Sequence, residues 1–141
     1  MLDQNTSAQL KTLLERLEGP IELVATLNDS DKSAKIKELV EEVAALSDLV
    51  TARFDGKNSR APSFGIAKAG EEPRVFFAGL PMGHEFTSLI LALLQTSGYA
   101  PKVSDEVLTS IKELGVNSHF DVFVSLSCHN CPDVVQALNL I

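Results

Sequence analysis

Cys128 and Cys131 are the only cysteines in a chain of 141 residues, and they stand in the run Asp121-Val-Phe-Val-Ser-Leu-Ser-Cys128-His129-Asn130-Cys131-Pro132. Two intervening residues let the sulfurs close a small ring without large backbone movement. The apolar, partly alternating run before them reads as a strand, and a helix is predicted to begin at or just after Cys131. Free N–H groups at a helix mouth stabilise a thiolate, so cysteines placed there reach pKa values of roughly 3.5–7.5 against about 8.5 when free. Strand, C-x-x-C and helix in that order are what a dithiol/disulfide redox centre requires. Pro132 suits the first helical position, where its missing N–H costs nothing.

Two other uses of the pair stay open. A closed zinc site needs four ligands, but the remaining candidates are His84, His119 and His129, with no pair at ligand spacing. A structural disulfide is possible too, although bridging residues three apart closes too short a loop to stabilise much. Redox chemistry is the reading the local context favours.

The length suits one ordinary domain with its own core. A hydrophobic content of 45% indicates a globular chain. The longest apolar run, residues 89–94, is far short of a membrane span and is predicted to be a buried helix segment. The first five residues carry no basic or apolar leader, so the expected location is the cytoplasm. A reducing compartment suits a catalytic dithiol. A net charge of −7 argues against nucleic acid and against anionic membrane surfaces.

The elements that must position the thiols follow from periodicity. Leu10, Leu13, Leu14 and Leu17 predict a helix over about 7–18, stopped by Gly19-Pro20. Residues 21–27 read as a strand. Ile36, Leu39, Val40 and Val43 predict a helix to about Ser47. Strands are expected at 49–54, at 61–67 with Pro62 at its entry, and at 74–79. Residues 83–96 predict a helix that is apolar nearly all round, hence deeply buried. Val107, Leu108, Ile111 and Leu114 predict another, closed by Gly115. Residues 120–126 are the final strand. Strand, helix, strand, hairpin, helix is the order of a thioredoxin-like α/β unit. Pro62 falls where such folds place a cis proline.

A shift of the chain on itself by 99 positions lays Ile21-Glu-Leu-Val-Ala-Thr-Leu27 on Phe120-Asp-Val-Phe-Val-Ser-Leu126, each pair chemically alike. Ile36 then falls on Val135 and Leu39 on Leu138, while Asp29 and Lys32 stand where Cys128 and Cys131 stand in the second copy. The expected organisation is therefore a tandem repeat. Residues 1–117 form a first thioredoxin-like unit, without redox cysteines, with an added N-terminal helix and a linker helix. Residues 118–141 begin a second unit that carries the redox centre and stops early, so the chain reads as a fragment.

Residues 83–94, Gly-His-Glu-Phe-Thr-Ser-Leu-Ile-Leu-Ala-Leu-Leu, and 125–139, Ser-Leu-Ser-Cys-His-Asn-Cys-Pro-Asp-Val-Val-Gln-Ala-Leu-Asn, resemble the N-terminal domain of the flavoprotein subunit of alkyl hydroperoxide reductase, a peroxiredoxin reductase. The resemblance runs the whole length. It implies two tandem thioredoxin-like folds and a downstream flavoprotein body, binding FAD and NADH, with its own dithiol. It implies electrons passing from NADH through FAD and that dithiol to Cys128 and Cys131, then to a peroxiredoxin subunit, and a homodimer at full length. Neither cofactor is expected to bind within these 141 residues. A non-catalytic docking or dimerisation module of the same fold is the alternative.

Within that expectation Cys128, ahead of the helix, is the attacking thiol, and Cys131, inside it, the resolving one. His129 as a cation would favour the thiolate, or is simply an exposed turn residue. Pro132 sets the helix entry. Glu85 lies in a motif the family carries and opens an apolar helix. It is read either as a shielded carboxylate that moves the thiol proton or as a first-turn acid complementing the helix dipole.

Overall fold

The computed structural model describes residues 1–115 and 117–141. The apolar run at 21–26 becomes one of the two inner strands of its sheet. β1 (Ile21–Thr26) pairs in parallel with β2 (Val50–Arg53), Leu23 against Ala52, and antiparallel with β3 (Ser63–Lys68), Leu23 against Ile66. β4 (Val75–Phe77) pairs antiparallel with β3, which gives the order β2-β1-β3-β4. A parallel neighbour demands a crossover, supplied by α2 (Asp31–Ala45). Ser30 caps that helix, its hydroxyl accepting from the Ser33 N–H. The Ala61–Pro62 bond, at the entry to β3, is cis.

Ile21, Leu23 and Ala25 project from one face of β1 and cluster with Ile36, Leu39, Val40 and Val43 of α2. Leu10 and Leu14 of α1 (Gln4–Leu14) and Leu89 and Leu93 of α3 (Phe86–Thr96) complete the cluster. Each fully buried Leu or Ile here contributes about 1.5–3 kcal/mol over an exposed one. α1 starts three residues before the expected 7–18 and ends four earlier. Asp3 is the reason at the front: its carboxylate accepts the Thr6 N–H at 2.7 Å, which also holds that carboxyl below its usual range. At the rear the chain tightens into i→i+3 bonds, Arg16 N–H to Leu13 O and Leu17 N–H to Leu14 O, so Leu17 stays buried beyond the helix.

The expected helix over 83–96 forms in two parts, a 3-10 turn (Gly83–Glu85) and then α3. Gly98, at φ +109°, ends α3: the Tyr99 N–H returns to Leu94 O and the Gly98 N–H to Gln95 O. α4 (Asp105–Glu113) forms where its periodicity predicts, capped by Ser104, but buries no residue.

One expectation fails. Residues 120–126 are not a strand. Among the described residues no strand lies beside them, so their backbone groups have no ladder to join, and Phe120, Val122, Phe123, Val124 and Leu126 are all exposed. After them comes α5 (Cys131–Asn139), packed against α3 and the 3-10 turn. No described helix is long and apolar enough to cross a membrane.

Candidate redox site

The start of α5 builds the site. Cys131 is its first residue and Pro132 its second, so the proline removes only a donor that the first turn leaves unused. The Cys128 N–H donates to Ser125 O at 3.0 Å and closes the preceding turn. Cys128 and Cys131 are joined as a disulfide with Cα atoms 5.5 Å apart, an ordinary span for the bond. The Cys131 N–H donates to Cys128 Sγ at 3.2 Å. A donor aimed at that sulfur, backed by the dipole of α5, stabilises negative charge on it. Both cysteines are half-buried, so exposure alone does not separate an attacking from a resolving thiol. Beside the sulfurs lies a cavity of about 160 Å³ lined mainly by Val122, Phe123, Val124 and Val134.

The 3-10 turn meets this site from the other side. The His84 N–H donates to Leu126 O at 3.2 Å, and the His84 and His129 rings lie 4.4 Å apart. Farther along the contact Gln136 Nε2 donates to the buried Ser88 Oγ at 3.2 Å, fixing α5 on α3. Glu85 is 2% exposed, and neither carboxylate oxygen has a hydrogen-bond partner among the described residues. Leaving a polar group buried and unpaired costs about 1–3 kcal/mol, more for a charge. So Cys128, Cys131, His129 and Pro132 occupy one turn, and the element carrying Glu85 abuts the helix that carries them.

A second anchor holds the run that leads into the site. Arg60 Nη2 lies 3.1 Å from Asp121 Oδ2, and its guanidinium sits 5.6 Å from the Phe123 ring centroid. That arginine, and after it His119, holds the Asp121 carboxyl below its usual range. Nothing in the sequence marks Arg60 for this role, and His84 enters there only as a possible metal ligand. The one available signal for the 3-10 turn is a glycine directly before His84-Glu85 at the mouth of an apolar helix.

No protein-family model matches the chain. It is 52% identical over 140 residues to the AhpF subunit of alkyl hydroperoxide reductase from Pseudomonas putida and 54% identical over 141 residues to that of Escherichia coli. Each alignment covers 99% of this chain. Over nearly its whole length the chain is similar to AhpF subunits of alkyl hydroperoxide reductase. It spans 27% of the length of those relatives and corresponds to the N-terminal part of AhpF. Among solved structures, AhpF of Enterococcus faecalis, as a C503A mutant, superposes with a TM-score of 0.85 at 26% identity, over 99% of this chain and 73% of that one. A protein disulfide oxidoreductase from Aeropyrum pernix superposes at 0.79 over 99% of this chain and 68% of its own, at 20% identity, a likeness of fold alone. The architecture is therefore α/β and thioredoxin-like, and this stretch of AhpF carries a redox-type disulfide at a helix mouth.

Proposed function

We propose that this chain is the N-terminal redox module of an NADH- and FAD-dependent peroxiredoxin reductase. It would pass electron pairs by thiol–disulfide exchange from a flavoprotein body to a peroxiredoxin subunit that reduces hydroperoxides. The observation that carries this reading is the Cys128–Cys131 pair at the mouth of α5 with the Cys131 N–H on Cys128 Sγ. Residues 118–141 are the opening of a second thioredoxin-like unit, and residues 1–117 form the first. FAD and NADH belong to the flavoprotein body; no residue of this chain is assigned to either. The full-length protein is a cytoplasmic homodimer in this reading.

From the reduced state the Cys128 thiolate attacks the partner's disulfide, forming a mixed disulfide and freeing one partner thiolate. The Cys131 thiolate then attacks Cys128 Sγ, restores the bond seen here and frees the second. Two electrons leave the dithiol and arrive on the partner's two sulfurs. Glu85 takes the proton from the resolving thiol, and the freed partner thiolates are protonated in turn. His129 and Pro132 support the turn.

Replacing Cys128 by Ser in the full-length enzyme should abolish NADH-driven reduction of the peroxiredoxin while NADH still reduces the flavin. Retained peroxiredoxin reduction would leave the docking alternative. Glu85→Gln should slow exchange several-fold with unchanged melting; an unaltered rate removes the proton role.

A further inference from the structure

We propose that Gly83 is a positioning residue for the dithiol. Its missing side chain lets the turn that carries Glu85 seat on the main-chain carbonyl of Leu126, two residues before Cys128. A Cβ built at Gly83 would lie 2.9 Å from Leu126 O, 3.7 Å from Leu126 Cβ and 3.8 Å from Leu126 C. That oxygen is no flexible side-chain tip. It is main chain, and it already accepts the His84 N–H at 3.2 Å. On the far side of the same contact the His84 ring meets the ring of His129, the residue after Cys128. Leu126 and His129 therefore bracket Cys128, and both are held by the pair Gly83-His84. A side chain at 83 forces the carbonyl back, and the dithiol turn retreats with it from the element bearing Glu85. Misplacements of that size are costly in reactions that depend on aligned groups.

Gly83 also sits at φ +58°, where any residue with a Cβ is strained, so a purely conformational role must be separated from a positioning one. Asparagine separates them. It adopts this region far more readily than alanine, yet its Cβ meets the same carbonyl.

The coupling to Glu85 rests on the function proposed above, and the experiment distinguishes the two. In the full-length reductase, Gly83→Ala, Gly83→Asn, Glu85→Gln and the Gly83→Asn/Glu85→Gln pair are compared by rate of exchange at Cys128 with a small aromatic disulfide. Gly83→Ala and Gly83→Asn should each slow exchange by about tenfold, and the pair should be no slower than its slower single, because both act on one arrangement. A Gly83→Asn enzyme at wild-type rate, or a pair whose losses multiply, overturns the proposal. Slowing by Gly83→Asn with a silent Glu85→Gln would retire the proton role and leave Gly83 positioning the turn alone. Should the variants not fold, amide exchange in the unmodified enzyme decides: the His84 N–H should be protected, and free exchange there overturns the proposal.

Discussion

The same residue pattern occurs twice in this chain and meets two fates. Residues 21–27 and 120–126 match position for position, yet the first forms one of the two inner strands of a sheet and the second is an exposed ribbon outside it. The difference is neighbours. Ile21, Leu23 and Ala25 are buried because β2 and β3 take the backbone groups on either side while α2 covers the face. Val122 and Val124 have the same chemistry and no such neighbours among the described residues. Alternation decides which side chains share a face, and partner strands decide whether there is a sheet to have a face.

The turns that follow differ in content. After β1, Asn28 Oδ1 accepts from the Ser30 N–H at 3.0 Å and the Ser33 hydroxyl at 2.9 Å, and Asn28 Nδ2 donates to Ala61 O at 3.1 Å. After the ribbon the corresponding turn holds Cys128 and Cys131. One helix mouth is closed by amide and hydroxyl groups, and the other spends its first N–H on a sulfur.

Three measurements would break or sharpen this contrast. The largest effect belongs to Leu23, 1% exposed: Leu23→Ala should lower unfolding free energy by about 2–5 kcal/mol. Val122, 99 positions further along, is 38% exposed, and Val122→Ala in the same 141-residue chain should change stability by less than about 0.5 kcal/mol. Equal losses in chemical denaturation would mean that the two segments are packed alike. Next, Asn28→Ala should cost about 0.5–1.5 kcal/mol by removing its turn bonds. Ser127→Ala, at the matching position, should change melting little, because the Ser127 hydroxyl reaches only that of Ser125 among the described residues.

The smallest effect concerns the ribbon's hold on Arg60. The Asp121 carboxyl is depressed in the folded chain, first by Arg60 and then by His119. A carboxyl lowered by folding lends its stabilisation in full above its unfolded pKa, about 3.9 for aspartate, and loses it as pH falls through the lower folded value. A carbon-detected NMR titration should therefore place the Asp121 midpoint below the ordinary aspartate range, and Arg60→Ala should move it upward. An unmoved midpoint would detach the ribbon from the loop that carries Arg60.

How much could be read in advance followed the range of each interaction. The C-x-x-C at a helix mouth is local, so Cys128, Cys131 and Pro132 are readable from spacing. Ile36, Leu39, Val40 and Val43 announce α2 through period. The start of α1 lies outside the leucine period because the Asp3 cap, and not that period, sets it. Residues 120–126 mislead because a period of two looks the same whether or not a ladder exists. The seating of Gly83 on Leu126, and of His84 on His129, joins residues far apart in the chain, and nothing in either stretch names the other. Glu85 lies between these cases: an acid amid leucines suggests burial, while its lack of any bonded partner needed the packed structure.

The ribbon has a practical outcome for anyone handling the molecule. Phe123, 82% exposed, stands in a run of β-branched and aromatic residues whose amides donate no backbone hydrogen bond among the described residues. Such a run is a ready template for cross-molecule pairing and slow precipitation. Concentrated stocks should turn cloudy or show growing particles by light scattering, and a lysine in place of Val124 should keep them clear while the thiols stay untouched.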